Sequence, residues 1–425
     1  MRNGAGCGLV ESLTAGSSSG VGSGPVIGEA MNIAKCLWIR TCASLATMVC
    51  RVTISAGQEI GAKADDYLSA WAKQGRFSGA MLIAKDGKVL LGKAYGMANY
   101  EFNVPNTPET VFRIGSITKL FTGFSILQLE EKGLLSVNDP VVKDIPELPE
   151  AWKAVTIHQL LCHTSGIPDL STERHTAISM TAGMRRILKP AGMTHTALDH
   201  ASAVVPERAS GYRWDGETII NATYGDPAFP VSAGALRSTL DDMYRFDRAL
   251  RSGKLFSPAV TAKAWTAYSH WTAPPPFDLE ADYGYGWMIG TEFGHRFVGH
   301  GGWVDGFVSQ FTRYPDDDAV MIVLWNFESS NNIPLTKDLA AILLGGKYEA
   351  PKLRAIVHPP TDALVRYVGE YDLGPIKLEV SMRSGKLFAL GTGRPAPYGL
   401  IAVSDTEFYC NDTPPRCGLS TPRVM

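Results

Sequence analysis

The position of its strand-like segments most constrains the fold of this sequence, because they lie at both ends of a long helical stretch. Near the amino end, apolar runs at 80–84 and 89–91 flank Asp86-Gly87, a pair typical of a β-hairpin turn. Three further strand candidates lie much later in the chain, at 285–289, 307–314 and 319–325. We therefore predict an α+β fold in which the first and last strands share one antiparallel sheet flanked by helices.

Helical periodicity dominates the sequence around and between these strands. The predicted helices cover 62–72, 116–132, 156–161, 240–253 and 335–344. The first of them collects its aromatic and leucine side chains on one face, as a helix packed on a core requires. Ser238 or Thr239 is expected to cap the fourth helix, and Gly253 is expected to end it.

Composition and charge narrow the class of protein. A hydrophobic content of 45% and a charged content of 19% are typical of a globular chain with a substantial core. The formal net charge of −2 gives no indication of a nucleic-acid partner or of an anionic membrane surface. The cysteines form neither a Cys-x-x-Cys pair nor a metal-ligand spacing with histidine, so no metal or cofactor is implied. Cys410 and Cys417 either form a disulfide or stay free thiols.

The two ends of the chain differ from the region between them. Residues 1–30 are rich in Gly and Ser, and are predicted to be disordered or an over-extended reading frame. Residues 31–57 resemble a secretory signal peptide with cleavage after Ala56, which would make the protein periplasmic or secreted, without a stable membrane span once mature. A main domain is predicted over 58–346, and a small, incomplete β domain over 360–425.

The first motif with chemical meaning is Ser116-Ile117-Thr118-Lys119, at the start of a predicted helix. Because positions i and i+3 share one face of a helix, Ser116 Oγ and Lys119 Nζ are expected to be neighbours. A serine hydroxyl is a weak nucleophile until a base removes its proton, and a lysine can be that base when burial or nearby positive charge lowers its pKa. Free N–H groups at the start of the helix can stabilise an oxyanion. A motif this short also occurs by chance.

The second motif is Gly299-His300-Gly301-Gly302-Trp303, which lies just before an apolar run. Glycines at the start of a strand let a ligand approach the backbone, and the Trp303 N–H can donate to an oxyanion. A histidine beside glycines also occurs as an ordinary turn residue. With the Ser-x-x-Lys motif upstream, however, we expect His300, Gly302 and Trp303 to contact the substrate.

These two motifs and three further segments resemble the beta-lactamase-related serine hydrolases, which include class C beta-lactamases, D-alanyl-D-alanine carboxypeptidases and related esterases. The segments that carry the resemblance are 112–119, 160–167, 189–193, 232–239 and 299–302, and it covers about Gln58 to Gly346. It implies a beta-lactamase/penicillin-binding-protein-like fold, with a helical subdomain beside the sheet. The part after Pro359 resembles a β domain that often follows such hydrolases.

The resemblance also implies a mechanism. Ser116 attacks the carbonyl of an amide, lactam or ester and becomes acylated, while Lys119 helps to take its proton. His300 contacts the substrate or its carboxylate, and the amides of Ser116 and Trp303 form the oxyanion hole beside Gly302. The substrate is then a small molecule or a peptide, and its identity and the oligomeric state stay open.

One part of the family pattern is missing. These hydrolases carry a Tyr-x-Asn or Tyr-Ser-Asn motif after the loop that here spans 163–166, and its tyrosine assists proton transfer. In this chain only 168–188 separates that loop from the segment at 189–193, and the interval contains no tyrosine. The segment that should carry the tyrosine is therefore expected to be deleted, which would shorten the helical subdomain.

Few residues are available to replace this tyrosine. Tyr212 and Tyr224 are the nearest in sequence, although Tyr212 matches a structural position of the family. Tyr283 and Tyr285 precede the His300 motif and are expected to pack. His175 lies in the shortened segment and is a candidate base, since an imidazole can accept a proton near neutral pH.

Other polar clusters have simpler explanations. His158 and His163 flank a helix end and are expected to be structural. Asp316-Asp317-Asp318 is expected to be a solvated turn rather than a metal site, because adjacent residues of an extended chain point apart.

Three hypotheses about function remain. The first is an active serine hydrolase that works through an acyl-enzyme on Ser116. The second is a degenerate family member that binds peptidoglycan-like or acyl ligands with little or no turnover, which the missing tyrosine favours. The third is a truncated or misassembled gene product that folds badly.

Overall fold

The computed structural model describes residues 56–167, 181–214, 218–223, 231–272, 280–328, 332–350, 357–372, 377–391 and 397–410. From Gly57 onward they belong to one compact unit. The predicted disordered start at 1–30, almost all of the predicted signal peptide, His175, Tyr224 and Cys417 lie outside the described residues. Among the helices that are described, none is long and apolar enough to cross a membrane.

Five of the described helices coincide with the five predicted from the periodicity of the sequence, and four others were not predicted. The described helices are α1 over 56–73, α2 Thr118–Glu131, α3 Ile157–Leu161, α4 Thr181–Ala191, α5 Val231–Gly234, α6 Leu240–Ser252, α7 Pro258–Ala264, α8 Asn332–Leu344 and α9 Thr361–Leu364. Thr239 caps α6 by accepting the N–H of Asp242, and Gly253 ends the helix with a φ of 64°. The predicted helix and both of its boundaries are confirmed.

The described strands occur in runs rather than in strict alternation with these helices. They are β1 Gly79–Lys85, β2 Lys88–Tyr95, β3 Met97–Asn99, β4 Val104–Pro105, β5 Phe112–Arg113, β6 Ala197–Leu198, β7 Tyr212–Trp214, β8 Ile219–Asn221, β9 Leu236–Ser238, β10 Ser269–Thr272, β11 Glu280–Tyr283, β12 Met288–Glu292, β13 His295–Val304, β14 Phe307–Tyr314, β15 Ala319–Trp325, β16 Phe327–Glu328, β17 Gly369–Asp372, β18 Lys377–Arg383, β19 Lys386–Gly391, β20 Tyr398–Ala402 and β21 Phe408–Cys410.

The central sheet has eight strands in the order β10-β11-β12-β13-β14-β15-β1-β2, and its neighbours are antiparallel. The early strand β1 pairs with the late strand β15 from Gly79 opposite Trp325 to Lys85 opposite Ala319. Asp86 and Gly87 both have positive φ between β1 and β2, as a two-residue hairpin turn requires. The predicted α+β fold, closed by its first and last strands, is confirmed.

The middle strands β14, β15 and β1 are buried on both faces of the sheet, which explains why they read as nearly continuous apolar runs. Alternate residues of β1 and β15 face two different cores. One core holds side chains of α2 and α6, among them Leu120, Phe121, Phe124, Met243 and Phe246. The other holds side chains of α1 and α8, among them Tyr67, Leu68, Trp71, Leu335 and Leu339. The main domain is therefore a helix–sheet–helix sandwich.

The sequence placed one strand incorrectly. A strand was predicted at 285–289, but β12 begins at Met288, and the residues before it form a bend against α2. A Cβ on Gly286 would lie 2.4 Å from the Lys119 carbonyl oxygen, so the bend packs directly on the helix. The glycine motif at 299–303 was expected just before a strand, yet it lies inside β13, whose polar and glycine residues hide the alternation.

Beyond residue 360, β17 to β21 form a separate five-stranded sheet. Its core contains Leu364, Tyr367, Leu378, Leu387 and Phe408. The sequence indicated three of these strands and the Ser384-Gly385 turn. The assignment of this part as an independent and incomplete domain stays a prediction.

Candidate functional site

Ser116 lies on a 3₁₀ turn, Gly115–Ile117, immediately before α2. Gly115 has a φ of 50°, a conformation that side chains other than glycine rarely adopt. A Cβ on Gly115 would also lie 2.7 Å from the Trp303 nitrogen. Glycine at 115 therefore lets the Ser116 turn approach the backbone of β13.

Lys119 lies in the first turn of α2, one helical turn beyond Ser116. Its Nζ donates hydrogen bonds to Ser116 Oγ at 2.8 Å and to the Ala233 carbonyl oxygen at 2.9 Å. Ala233 belongs to the short helix α5. It lies in the segment 232–239, which resembles the family but had no predicted role for Ala233. The structure thus brings Ser116 and Lys119 into direct contact, with the amine held from a second side by α5.

β13 runs past the Ser116 turn at Gly302 and Trp303. A Cβ on Gly302 would lie 2.1 Å from the Ile114 carbonyl oxygen, so only glycine allows this approach. Ser309 of β14 holds the same carbonyl, because its Oγ donates to Ile114 O at 2.8 Å. The Trp303 side chain is 61% exposed. The backbone of 302–303 is therefore part of the wall beside Ser116.

His300 lies on β13 with both ring nitrogens in hydrogen bonds. Nδ1 contacts the Gly301 carbonyl oxygen, and Nε2 lies 2.9 Å from the Tyr283 hydroxyl. Burial and, to a smaller degree, the charge of Lys119 lower the pKa of His300 to about 3. The ring is therefore neutral near pH 7. Since a carbonyl oxygen only accepts, Nδ1 carries the proton and Nε2 accepts from Tyr283.

Tyr283 is the site residue whose contact the sequence did not reveal. It was expected to pack, and it is buried, but its hydroxyl also donates to His300. Met288 of β12 pairs with Tyr283 on one side and with Gly299 on the other, which brings β11 close to the His300 motif. Burial raises the pKa of Tyr283, so the hydroxyl keeps its proton. The short β11 gave no sequence signal for this pairing.

The loop after α3 lies against the same tyrosines. The exposed His163 packs its ring against Tyr283, with the centroids 4.9 Å apart. His158 Nδ1 lies 2.8 Å from the Tyr285 hydroxyl, and the buried Cys162 Sγ donates to the His158 carbonyl oxygen at 3.0 Å. His158 therefore anchors the loop, whereas His163 lies beside the Tyr283–His300 pair.

Tyr212, considered from the sequence as a replacement base, is occupied elsewhere. Its hydroxyl hydrogen-bonds to Glu101 and accepts the Tyr100 N–H at 2.8 Å. Burial first, and Glu101 second, raise the pKa of Tyr212 to about 12. Such a hydroxyl is a poor proton acceptor near pH 7.

The three adjacent aspartates form the turn between β14 and β15, and each lies beside a basic side chain. Asp316 lies 3.7 Å from Arg296, Asp317 lies 2.8 Å from His295, and Asp318 contacts Arg251 and Arg313. Within the described ranges, no group of three or more His, Cys, Asp or Glu side chains is arranged to hold a metal ion.

A cavity of about 360 Å³ lies at the carboxyl end of α4. Its lining residues are Arg185, Leu188, Lys189, Gly192, Met193, Thr194, Thr196, Ala197 and Leu198. None of the residues placed beside Ser116 lines it. The candidate site is thus defined by the contacts among Ser116, Lys119 and β13 rather than by this cavity.

Several known proteins are similar to this chain in sequence or in fold. The putative penicillin-binding protein PbpX of Bacillus subtilis is 30% identical over 240 residues, which cover 47% of this chain and 61% of that protein. The chain therefore spans somewhat less than two thirds of that relative. Penicillin-binding protein 4* of the same organism is 27% identical over 413 residues, covering 79% of this chain and 88% of that protein.

Two solved structures extend the comparison to the fold. An octameric penicillin-binding protein homologue from Pyrococcus abyssi superposes with a TM-score of 0.58 at 24% identity, covering 82% of this chain and 92% of that one. D-amino acid amidase from Ochrobactrum anthropi superposes with a TM-score of 0.56 at 19% identity, covering 68% and 98%. The beta-lactamase family model matches residues 64–181 and 180–345, which together make up more than half of the sequence. This chain therefore belongs to the beta-lactamase family, with the fold that it shares with penicillin-binding proteins.

Proposed function

We propose that this protein is a serine hydrolase that cleaves an amide, lactam or ester through an acyl-enzyme on Ser116. The observation that carries the proposal is the 2.8 Å contact between Lys119 Nζ and Ser116 Oγ, beside the glycine-lined edge of β13. Nucleophile and base within hydrogen-bond reach, with the base held by a third group, is the arrangement that activates a weak nucleophile. The Ala233 carbonyl oxygen is that third group.

The reaction starts once Lys119, whose charged amine donates to Ser116 and Ala233 at rest, has lost one proton to solvent and can accept the Ser116 hydroxyl proton. Its Nζ takes the Ser116 hydroxyl proton while Oγ forms a bond to the substrate carbonyl carbon. The tetrahedral intermediate collapses when the bond to the leaving group breaks, and the leaving group receives the proton from Lys119. Water then attacks the acyl-enzyme, Lys119 takes a proton from it, and the bond between Oγ and the acyl carbon breaks. The proton returns to Ser116, and the acid product leaves.

The negative charge of the intermediate needs donors at the place where it develops. The Ser116 N–H at the start of the turn and the Trp303 N–H on β13 are our candidates. The close approach of Gly115 to the Trp303 nitrogen supports this pair, since it brings the two backbone segments together. Gly302 would take part through its backbone, and its missing side chain keeps the approach open.

One comparison supports an internal deletion at the place where the tyrosine motif is missing, and a second supports a deletion without locating it. The two matches to the family model meet at 180–181, inside the shortened interval. In addition, 79% of 425 residues is about 336, so a match that runs over 413 positions includes stretches of penicillin-binding protein 4* without a counterpart in this chain. We propose that Lys119 works without the tyrosine, since Tyr212 and Tyr283 are both engaged and protonated.

The second candidate function is a degenerate member that binds acyl or peptidoglycan-like ligands with little turnover. The specific observation that favours it is the absence of tyrosine between 168 and 188. Loss of a general base lowers a rate by about two to four orders of magnitude. Saturable ligand binding without product would support this candidate, and rapid hydrolysis of an ester would exclude it.

Intact-protein mass spectrometry after exposure to a fluorophosphonate, and separately to a penicillin, tests the proposal. We expect a fluorophosphonate adduct on the wild type that is absent from Ser116→Ala. No adduct on a wild-type protein that melts cooperatively would contradict the activated serine and favour the degenerate candidate. A broad, non-cooperative melt would instead favour the truncated, poorly folded product.

The location of the protein is a proposal as well. The leader predicted over 31–56 would direct the chain out of the cytoplasm. Outside the cytoplasm is also where penicillin-binding proteins and secreted hydrolases meet their substrates. Amino-terminal sequencing of the protein from its native cells is the test. A mature terminus at Gly57 is expected, and retention of residues 31–56 would contradict it.

A further inference from the structure

We propose that this site prefers substrates that carry no carboxylate beside the scissile bond, and that His300, through hydrogen bonds that occupy both of its ring nitrogens, sets this preference. The inference rests on the proposed function and names the substrate class of that same site: uncharged esters and amides. It departs from the expectation that His300 contacts a substrate carboxylate.

The geometry of His300 leaves no donor for an anion. Nδ1–H donates to the Gly301 carbonyl oxygen, the next residue of the same strand. Nε2 accepts the Tyr283 hydroxyl at 2.9 Å. A carboxylate accepts hydrogen bonds and cannot donate them, so it has nothing to bind on this ring. It could gain a donor only if His300 turned away from both partners.

Tyr283 holds the ring in this state. Its side chain is only 6% exposed, and its ring meets the His300 imidazole edge to face, with centroids 5.7 Å apart. The ring of His163 also packs against Tyr283, with the centroids 4.9 Å apart. Rotating His300 would therefore leave a buried tyrosine hydroxyl without its partner, which costs free energy.

The charge of the surroundings acts in the same direction. Burial, Lys119 and His163 all lower the pKa of His300, so the imidazolium that would attract a carboxylate is not populated near pH 7. Lys119 is a cation when protonated, but its Nζ already donates to Ser116 and Ala233. A carboxylate drawn to Lys119 would compete with the nucleophile and inhibit the reaction rather than assist it.

The test uses two esters of the same acyl group that differ only in charge on the leaving group. One is a 3-hydroxybenzamide ester and the other a 3-hydroxybenzoate ester, with nearly equal size and leaving-group shape. For the wild type we expect kcat/KM to be about ten-fold or more higher for the neutral ester, since a carboxylate placed beside His300 would lose hydration without gaining a donor. Equal values, or a preference for the benzoate ester, would overturn the inference.

Two variants locate the preference at His300. We expect His300→Lys to shift the ratio of kcat/KM values toward the benzoate ester by about ten-fold or more, because an ammonium can pair with the carboxylate. We expect His300→Gln, which stays neutral, to keep the wild-type preference even if both rates fall. An unchanged ratio in His300→Lys would assign the preference to another residue and overturn the role of His300.

The outcomes separate this inference from the proposed function. Hydrolysis of both esters that is lost in Ser116→Ala but shows no charge preference leaves the serine hydrolase standing and overturns the substrate class. Absence of hydrolysis that depends on Ser116, together with absence of a fluorophosphonate adduct, overturns both.

Discussion

Gly302 of β13 lies against the carbonyl group of Ile114, so close that a Cβ at position 302 would be 2.1 Å from the Ile114 oxygen. Ile114 precedes the Ser116 turn by one residue, and its carbonyl oxygen also accepts the Ser309 hydroxyl at 2.8 Å. The close backbone contact therefore fixes the position of the Ser116 turn relative to β13. A side chain at 302 would separate the Ser116 turn from the strand that faces it.

Gly302→Ala is expected to abolish most activity while the fold persists. The added methyl group must push backbone against backbone, which costs about 1–3 kcal/mol as overpacking and displaces the Ser116 turn. A shift of about 1 Å in a reacting group can lower a rate about 100-fold. Ester hydrolysis and thermal unfolding measure the two effects.

Gly301→Ala is the matched control on the same strand. A Cβ there would lie 3.1 Å from the end of the flexible Gln310 side chain and 3.8 Å from the Ser309 carbonyl oxygen, which is an ordinary van der Waals contact. We expect kcat/KM within about three-fold of wild type, because that side chain can move with little strain. Equal decreases of kcat/KM in Gly301→Ala and Gly302→Ala would show that the contact between Gly302 and Ile114 does not position the Ser116 turn.

Lys119→Met is expected to slow acylation of Ser116 about 100-fold or more, since it removes the group within hydrogen-bond reach of the nucleophile. Lys132→Met, at the exposed end of the same helix, serves as the control and should react like wild type. The rate of fluorophosphonate labelling measures the effect. Similar labelling rates for Lys119→Met and wild type would mean that another group takes the proton.

The lowered pKa of His300 predicts that the stability of the protein depends on pH. The pKa of His300 is lowered to about 3 in the folded protein, whereas an unfolded histidine titrates near 6.5. Between these values the unfolded chain binds the extra proton, so His300 lowers the free energy of unfolding progressively as the pH falls from about 6.5 toward 3. His300→Gln lacks this contribution.

Urea unfolding of both proteins at several pH values between 7.5 and 4.5 checks this. We expect the stability of wild type relative to His300→Gln to decline across that range. A difference that is independent of pH would show that His300 is protonated in the folded state as readily as in the unfolded chain.

Asp247 and Asp241 lie on the same helix, α6, but in different surroundings. Asp247 pairs with Arg313 in the core, and burial raises the pKa of Asp247 while Arg313 opposes this. Asp241 pairs with Arg245 on the surface. We expect Asp247→Ala to destabilise the protein by about 3–5 kcal/mol, since Arg313 is left as a partly compensated buried charge. Asp241→Ala should cost less than about 1 kcal/mol. Comparable losses in chemical denaturation would contradict this contrast.

The features that could be predicted from the sequence are those formed by residues close together in the chain. The hairpin at Asp86-Gly87, the capped helix that ends at Gly253 and the contact between Ser116 and Lys119 all depend on residues within a few positions of each other. Their geometry follows from backbone preferences and from the period of the helix, which act over that range. The α+β layout could also be predicted from the sequence, because the order of strands and helices leaves few ways to bury their apolar faces.

The chain itself thus determined five of its helices, its main hairpin and the contact between Ser116 and Lys119 one helical turn apart. The charge state of His300, its bond to Tyr283 and the contact of Gly302 with Ile114 were decided only by the tertiary structure. Pairing of β11, β12 and β13 brings Tyr283 to a histidine seventeen positions later, and packing of β13 on the Ser116 turn joins segments far apart in the chain. Desolvation and close packing depend on what surrounds a group in space, and spacing along the chain does not encode those surroundings.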